Sequence, residues 1–278
     1  MRCQSNPILV ALALGLAGVA ASSQASELAE KGRDIFNKNQ QAVVTVQVVL
    51  KVSVSGAAKS SENRQEITGT VVDPSGLTVL ALSAADPSEM YQRMLAEQAS
   101  QAKLETEVTD VKILLTDGTE LPAEIVLRDK DLDLAFIRPK TKPAGPMAAV
   151  DLGKSAPAQM LDQVVTLNRL NSAAGRAYAA SAERISAVIQ KPRTFYIPDS
   201  TMTSTTLGSP AFALDGKILG LVVMRAVNSK GGGNRNLRES MTSIILPAED
   251  ILKASKQAPE AKGDPDKKEE PKASTEKK

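Results

Sequence analysis

Apolar and polar residues alternate with a period of two along much of the chain. Ala42–Val54 (AVVTVQVVLKVSV) alternates and is rich in β-branched residues, which predicts a half-buried strand. Short apolar runs follow at Glu66–Val72, Leu77–Leu82, Val111–Thr116, Glu120–Leu127 and Leu134–Ile137. A second series runs Gln163–Asn168, Arg184–Ile189, Pro210–Leu214, Lys217–Met224 and Met241–Leu246. Asp73-Pro74-Ser75-Gly76, Asp117-Gly118 and Asp215-Gly216 supply turn chemistry between strands. Helical spacing is confined to three stretches: Glu27–Asn37, Ser88–Lys103 with Met90, Met94 and Leu95 on one face, and Ala248–Ala254 after Pro247. Short strands in two series predict an all-β fold, a pair of packed antiparallel barrels with a helical insertion at about 87–104 and a short C-terminal helix. The junction is expected near Thr141–Val150 (TKPAGPMAAV), where Pro and Gly interrupt the pattern.

The two ends follow other rules. Arg2 precedes an apolar run, Ile8–Ala21, and small residues come after it. This predicts a signal peptide over residues 1–25, with Ser23 and Ala25 at the −3 and −1 positions of a cleavage site after Ala25, and Val19 and Ala21 offering an earlier one. A helical lead-in spans 26–40. The expectation is export, to a periplasm, the cell envelope or the medium, with no transmembrane span left after cleavage. Residues 256–278 (KQAPEAKGDPDKKEEPKASTEKK) hold no Leu, Ile, Val or aromatic side chain and are expected to be a disordered charged tail.

Composition removes whole classes of chemistry. The 278 residues include no histidine, which excludes Ser-His-Asp and Cys-His catalysis and metal sites built on imidazole. The only cysteine, Cys3, falls within the signal segment, so the mature chain is expected to lack disulfides and thiol chemistry. A net charge of +2 argues against a nucleic-acid partner. No metal and no cofactor is expected.

Candidate motifs are weak. Ser100–Lys103 matches S-x-x-K but stands in a helical insertion without companion motifs. Gly153-Lys154-Ser155 has Ala148 where a phosphate loop needs its first glycine. Asp129, Asp131 and Asp133 have calcium-loop spacing, but Leu134 replaces the glycine and Lys140 the glutamate. Gly231-Gly232-Gly233 reads as a hairpin loop.

Several segments, in order, resemble the trypsin-like fold, and most of all the HtrA group of exported serine proteases. AVVTV at Ala42–Val46, TGTVVDPSGLTVLAL at Thr68–Leu82 and SAAD at Ser83–Asp86 are similar to the strands and "TNNHVV" segment around the family histidine. Val111–Pro139 resembles the stretch that carries the catalytic aspartate, with Asp133-Leu134-Ala135 matching its Asp-Leu-Ala. Leu152-Gly153-Lys154-Ser155 and Asp162-Gln163-Val164-Val165 resemble the "LG.S" and "GD.V" of the second barrel. Thr203–Val223 resembles the "GNSGGP" region of the nucleophile, and Ser243–Lys253 the closing strand and helix. The resemblance implies a peptidase domain over 41–255, with barrel one at about 41–140 and barrel two at about 151–247. No PDZ domain is expected.

The resemblance fails at the chemistry. Anchored on Pro210, the nucleophile position holds Leu207, followed by Gly208 and Ser209. The histidine position falls at Ser83 counted from Gly76, or at Asp86 by the "TAAH" variant. Only Asp133 of the implied triad remains. Losing nucleophile or base typically forfeits about 10⁶ in kcat. The expected function is therefore that of a pseudoprotease, a serine-protease homologue that binds or scaffolds an envelope or secreted protein or peptide. The alternatives are a hydrolase with an unconventional site, using Ser209 or a carboxylate pair, and a purely architectural subunit. Asp133, Ser83 to Asp86 and Leu207 are expected to converge, with Leu207 plugging the cleft. Asp133, deprived of imidazole, is expected to take substitute donors from the Ser83–Asp86 segment.

Overall fold

The computed structural model describes residues 27–54, 60–97, 104–199, 206–226 and 241–260. The signal segment, Ser100–Lys103, Gly231–Gly233 and the tail beyond Glu260 lie outside the described residues.

Residues 27–39 form helix α1. Twelve strands follow, in two closed antiparallel barrels of six. Barrel one comprises β1 (Val43–Val54), β2 (Ser60–Val71), β3 (Thr78–Ala81), β4 (Leu104–Leu114), β5 (Glu120–Asp129) and β6 (Leu134–Pro139), ordered β1-β2-β3-β6-β5-β4. Barrel two comprises β7 (Gln163–Arg169), β8 (Tyr178–Ile189), β9 (Phe195–Pro198), β10 (Pro210–Ala213), β11 (Ile218–Ala226) and β12 (Met241–Pro247), ordered β10-β11-β12-β9-β8-β7. Helices α2 (Leu82–Ala85) and α3 (Ser88–Glu97) sit between β3 and β4, and α4 (Ala248–Ser255) closes the domain. The two expected barrels are present.

Strands β3 and β6 explain where the site lies. They pair with each other, Ala81 opposite Leu134 and Val79 opposite Phe136, and every residue of both is buried. Successive side chains of a strand point to opposite faces. Leu80, Ala135 and Ile137 accordingly fill the interior of barrel one, whereas Val79, Leu134 and Phe136 join a larger cluster with barrel two residues such as Leu219 and Ile245. Two fully buried strands thus form the wall shared by both barrels. Ser83 follows one of them and Asp133 precedes the other.

Polar bonds cross the same seam. Thr70 donates its hydroxyl to the Gly208 carbonyl at 2.8 Å, and the Thr68 hydroxyl accepts the Arg169 N–H at 3.2 Å. Arg176 pairs with Glu66 at 2.6 Å. Helix α1 adds apolar contact, with Ile35 buried in the shared core and Phe36 edge-on to Tyr178 at 6.2 Å between ring centroids.

Three features depart from the sequence expectations. Strand β9 is only four residues long (FYIP), too short to carry a period and ending on Pro198. Helix α2 is a single turn after β3. The start of the charged tail is ordered rather than disordered. The Arg138 guanidinium is nearly buried and needs acceptors, and it finds them in the Pro259 carbonyl at 2.9 Å, the Ser75 hydroxyl at 2.8 Å and the Glu260 carboxylate at 3.5 Å. Residues 256–260 are thereby docked on barrel one.

Candidate functional site

Asp133 stands where the chain turns sharply into β6, with φ at +57°. Aspartate tolerates this left-handed region better than most residues. The turn presents its carbonyl to the Leu82 N–H at 2.9 Å and swings its carboxylate toward barrel two. One carboxylate oxygen accepts the Ser83 N–H at 2.7 Å. The other accepts the Ser83 hydroxyl at 2.9 Å and the Met224 N–H at 2.7 Å. Asp133 therefore ties the α2 turn of barrel one to β11 of barrel two. Three donors occupy three of the roughly four lone-pair directions a carboxylate offers.

Burial and hydrogen bonding pull on this group in opposite directions. Burial raises its pKa to about 6, against the lowering exerted by the Met224 and Ser83 donors, and nearby Glu89 raises it slightly further. Desolvation prevails, so at neutral pH the anion is held by geometry rather than by a surplus of positive charge.

The expectation that the Ser83–Asp86 segment supplies donors in place of imidazole is met at Ser83. Asp86 is engaged elsewhere, accepting the Thr106 hydroxyl at 2.8 Å and the Ser88 N–H at 3.2 Å. Its carboxylate stabilises the start of α3 and anchors β4 rather than joining Asp133. Ser83, Asp86 and Asp133 nonetheless border one cavity of about 430 Å³, closed on the other side by Met224, Arg225 and Met241.

Leu207 is not part of that cavity's lining. It is 6% exposed and packs in the shared core. The expected plug is absent because the loop before β10 carries Leu207 inward, into apolar surroundings that its side chain prefers. Gly208 fixes this course. Its φ is +86°, and an added Cβ would collide with the Thr68 carbonyl oxygen, so only glycine lets the loop press against β2. Ser209 is wholly buried, and among the described residues its hydroxyl has no hydrogen-bond partner. It has no path to a substrate in this geometry.

The two weak motifs that lie within the described residues prove to be local turns. Asp151 accepts the Gly153 N–H at 3.0 Å and pairs with Lys154 at 3.1 Å, so Gly153-Lys154-Ser155 forms an aspartate turn with no open amide cradle. Asp129 similarly accepts the N–H groups of Asp131 and Leu132, each at 3.0 Å. Sequence reasoning missed two contributors. The Met224 donor is a backbone N–H, which carries no signature in residue identity. Arg193 and Arg225 reach the cavity only through the barrel-two topology, 60 and 92 residues from Asp133, as the numbering shows.

Comparison with known proteins agrees with this architecture. The family model described as a trypsin-like peptidase domain matches residues 38–221. No curated protein matches the chain. The matched span runs from the end of α1 through all of barrel one and into β11 of barrel two, and with the two six-stranded barrels it shows that the chain belongs to the family of trypsin-like peptidase domains.

Proposed function

We propose that this trypsin-like domain is an exported pseudoprotease, inactive as a peptidase, that works by binding a protein or peptide of the cell envelope or its surroundings. The order of its motifs resembles that of the HtrA group. The observation that carries the reading is the state of Asp133. In a chain without histidine, the aspartate that should orient imidazole is held by three donors from Ser83 and Met224. The buried positions of Leu207 and Ser209 support the same reading. Export is supported by the Arg2, Ile8–Ala21, Ser23-Gln24-Ala25 pattern.

Two measurements test the proposal. A fluorophosphonate probe should leave the purified chain unlabelled, whereas labelling blocked by a serine-protease inhibitor would overturn it. Cross-linking in the cell envelope followed by mass spectrometry should recover one recurrent protein joined near the cavity. Cross-links scattered over the surface would favour an architectural subunit instead.

A further inference from the structure

The cavity beside Asp133 has charged side chains of both signs, and their formal charges balance. Their hydrogen-bonding states do not. Asp86 is held by Thr106 and Ser88, Asp133 by Ser83 and Met224, and Glu89 by Lys130 at 3.1 Å. Only Asp131, which is exposed, keeps a carboxylate without a partner among the described residues. By contrast the half-buried Arg193 and Arg225 and the exposed Arg128 border the cavity with no carboxylate bound to any of them among the described residues. Arg225 lies over the Phe195 ring at 4.8 Å, a stack that fixes the plane of the group and leaves its N–H edge free. The unengaged cations of the wall are guanidinium groups, whereas three of its four carboxylates already hold a partner.

Apart from Ser83 and Ser88 the remainder of the lining is apolar, and includes Leu82, Met224, Ile244 and Leu246. A second hollow of about 340 Å³ continues past Leu132 and Arg193, which border both, toward Lys253 and Gln257 of the C-terminal segment. The two hollows make a groove rather than a point site, and Arg193 stands where they meet.

Resting on the reading of the domain as a binding module, we propose that this groove takes an extended acidic peptide segment of a partner protein. A Glu or Asp carboxylate of that segment is gripped by Arg193 and its guanidinium neighbours, and an adjacent apolar side chain lies on Leu82 and Met224. Guanidinium matches a carboxylate with paired, charge-assisted hydrogen bonds, so the free donors select an acceptor-rich ligand. The methionines supply an adaptable apolar floor. The chain's own tail carries Asp264, Asp266, Glu269, Glu270 and Glu276, but beyond Glu260 it has no apolar side chain larger than alanine or proline to fill that floor. The occupant is therefore a segment of another protein.

The test uses three libraries of capped pentapeptides with Glu, Gln or Lys fixed at the centre and mixed residues elsewhere, binding to the purified full chain followed by fluorescence anisotropy. The Glu-centred library should bind about 10-fold more tightly than the Gln-centred one, and lose affinity as salt rises. Arg193→Gln and Arg225→Gln should each erase most of that preference and leave Gln-centred binding unchanged. Equal binding of Glu- and Gln-centred peptides, or a preference for Lys, would overturn the acidic specificity while leaving the binding-module reading intact. Failure of all three libraries to bind would overturn both. Conversion of the five tail acids to amides checks the occupant, since a rise of about 10-fold in Glu-library affinity would assign the groove to the tail and overturn the partner.

Discussion

Asp133 and Leu207 occupy the positions at which the family resemblance puts an acid and a nucleophile, one on each barrel, and they meet burial in opposite ways. Leu207 is accommodated by apolar packing, in surroundings that ask nothing polar of it. Asp133 remains ionisable in a place that disfavours charge, and is accommodated by three fixed donors from two different elements. An apolar residue can fill a vacated position wherever volume allows, because its interactions have no direction. A buried acid persists only where backbone and hydroxyl groups converge on it. The difference predicts that Leu207 tolerates apolar substitution by volume, while Asp133 tolerates almost nothing.

The largest effect should come from emptying the Leu207 position. Leu207→Ala should lower stability by about 2–5 kcal/mol, read as a shift in the chemical denaturation midpoint, and Leu207→Met by less than about 1.5 kcal/mol. Equal losses for both would mean that packing volume is not what the position selects. Leu207→Ser should destabilise and still yield no peptidase activity, because no imidazole accompanies it.

Asp133→Asn comes next. Asparagine has one acceptor atom where the carboxylate has two, so whichever way its amide is turned, its NH₂ faces either the Ser83 or the Met224 N–H. The expected cost at neutral pH is about 1–3 kcal/mol, the range for a stranded buried donor. An unchanged midpoint would show that Asp133 is not a clamp.

Acidification sharpens the contrast. The Asp133 pKa is raised in the folded protein to about 6, from an ordinary value near 3.8. The folded state therefore binds this proton more tightly than the unfolded state, and protonation favours folding. The contribution is fully present below the unfolded value and is lost as pH rises through about 6. Between pH 7.5 and pH 4.5, wild type should gain about 2 kcal/mol relative to Asp133→Asn. The protonated acid meets this geometry because it can donate to the Ser83 oxygen and still accept from Met224. A constant difference between the two proteins across that range would contradict the raised pKa.

The smallest effect belongs to Ser83→Ala, which removes the hydroxyl and spares both backbone donors. It should cost about 1 kcal/mol and push the Asp133 titration further upward, observable by carboxyl carbon NMR. A downward shift would mean that the hydroxyl does not stabilise the anion.

How much of this could be read from the residues follows from what each interaction leaves in the sequence. The barrels were legible because period-two alternation and Asp-Gly turns mark strands directly. Strand β9 was not: β3 and β10 are as short, but each adjoins an Asp-Pro-Ser-Gly or Asp-Gly turn, and β9 has no such turn and ends on Pro198. The partnership of Ser83 with Asp133 was legible from motif order, because both positions belong to segments with a recognisable place in the fold. The inward course of Leu207 was not, because it depends on Gly208 pressing against Thr68, a contact between segments 140 residues apart by their numbers. Docking of residues 256–260 was missed for a related reason: the order comes from an acceptor demand at Arg138 and the packing of the single small side chain Ala258, neither of which has a periodic signature.

The most direct test compares casein turnover and thermal stability in wild type and Asp133→Asn. The account predicts no turnover by either protein, with the substitution registering only as a lower Tm. Turnover by wild type that Asp133→Asn abolishes without lowering Tm would make Asp133 a catalytic residue and contradict the account.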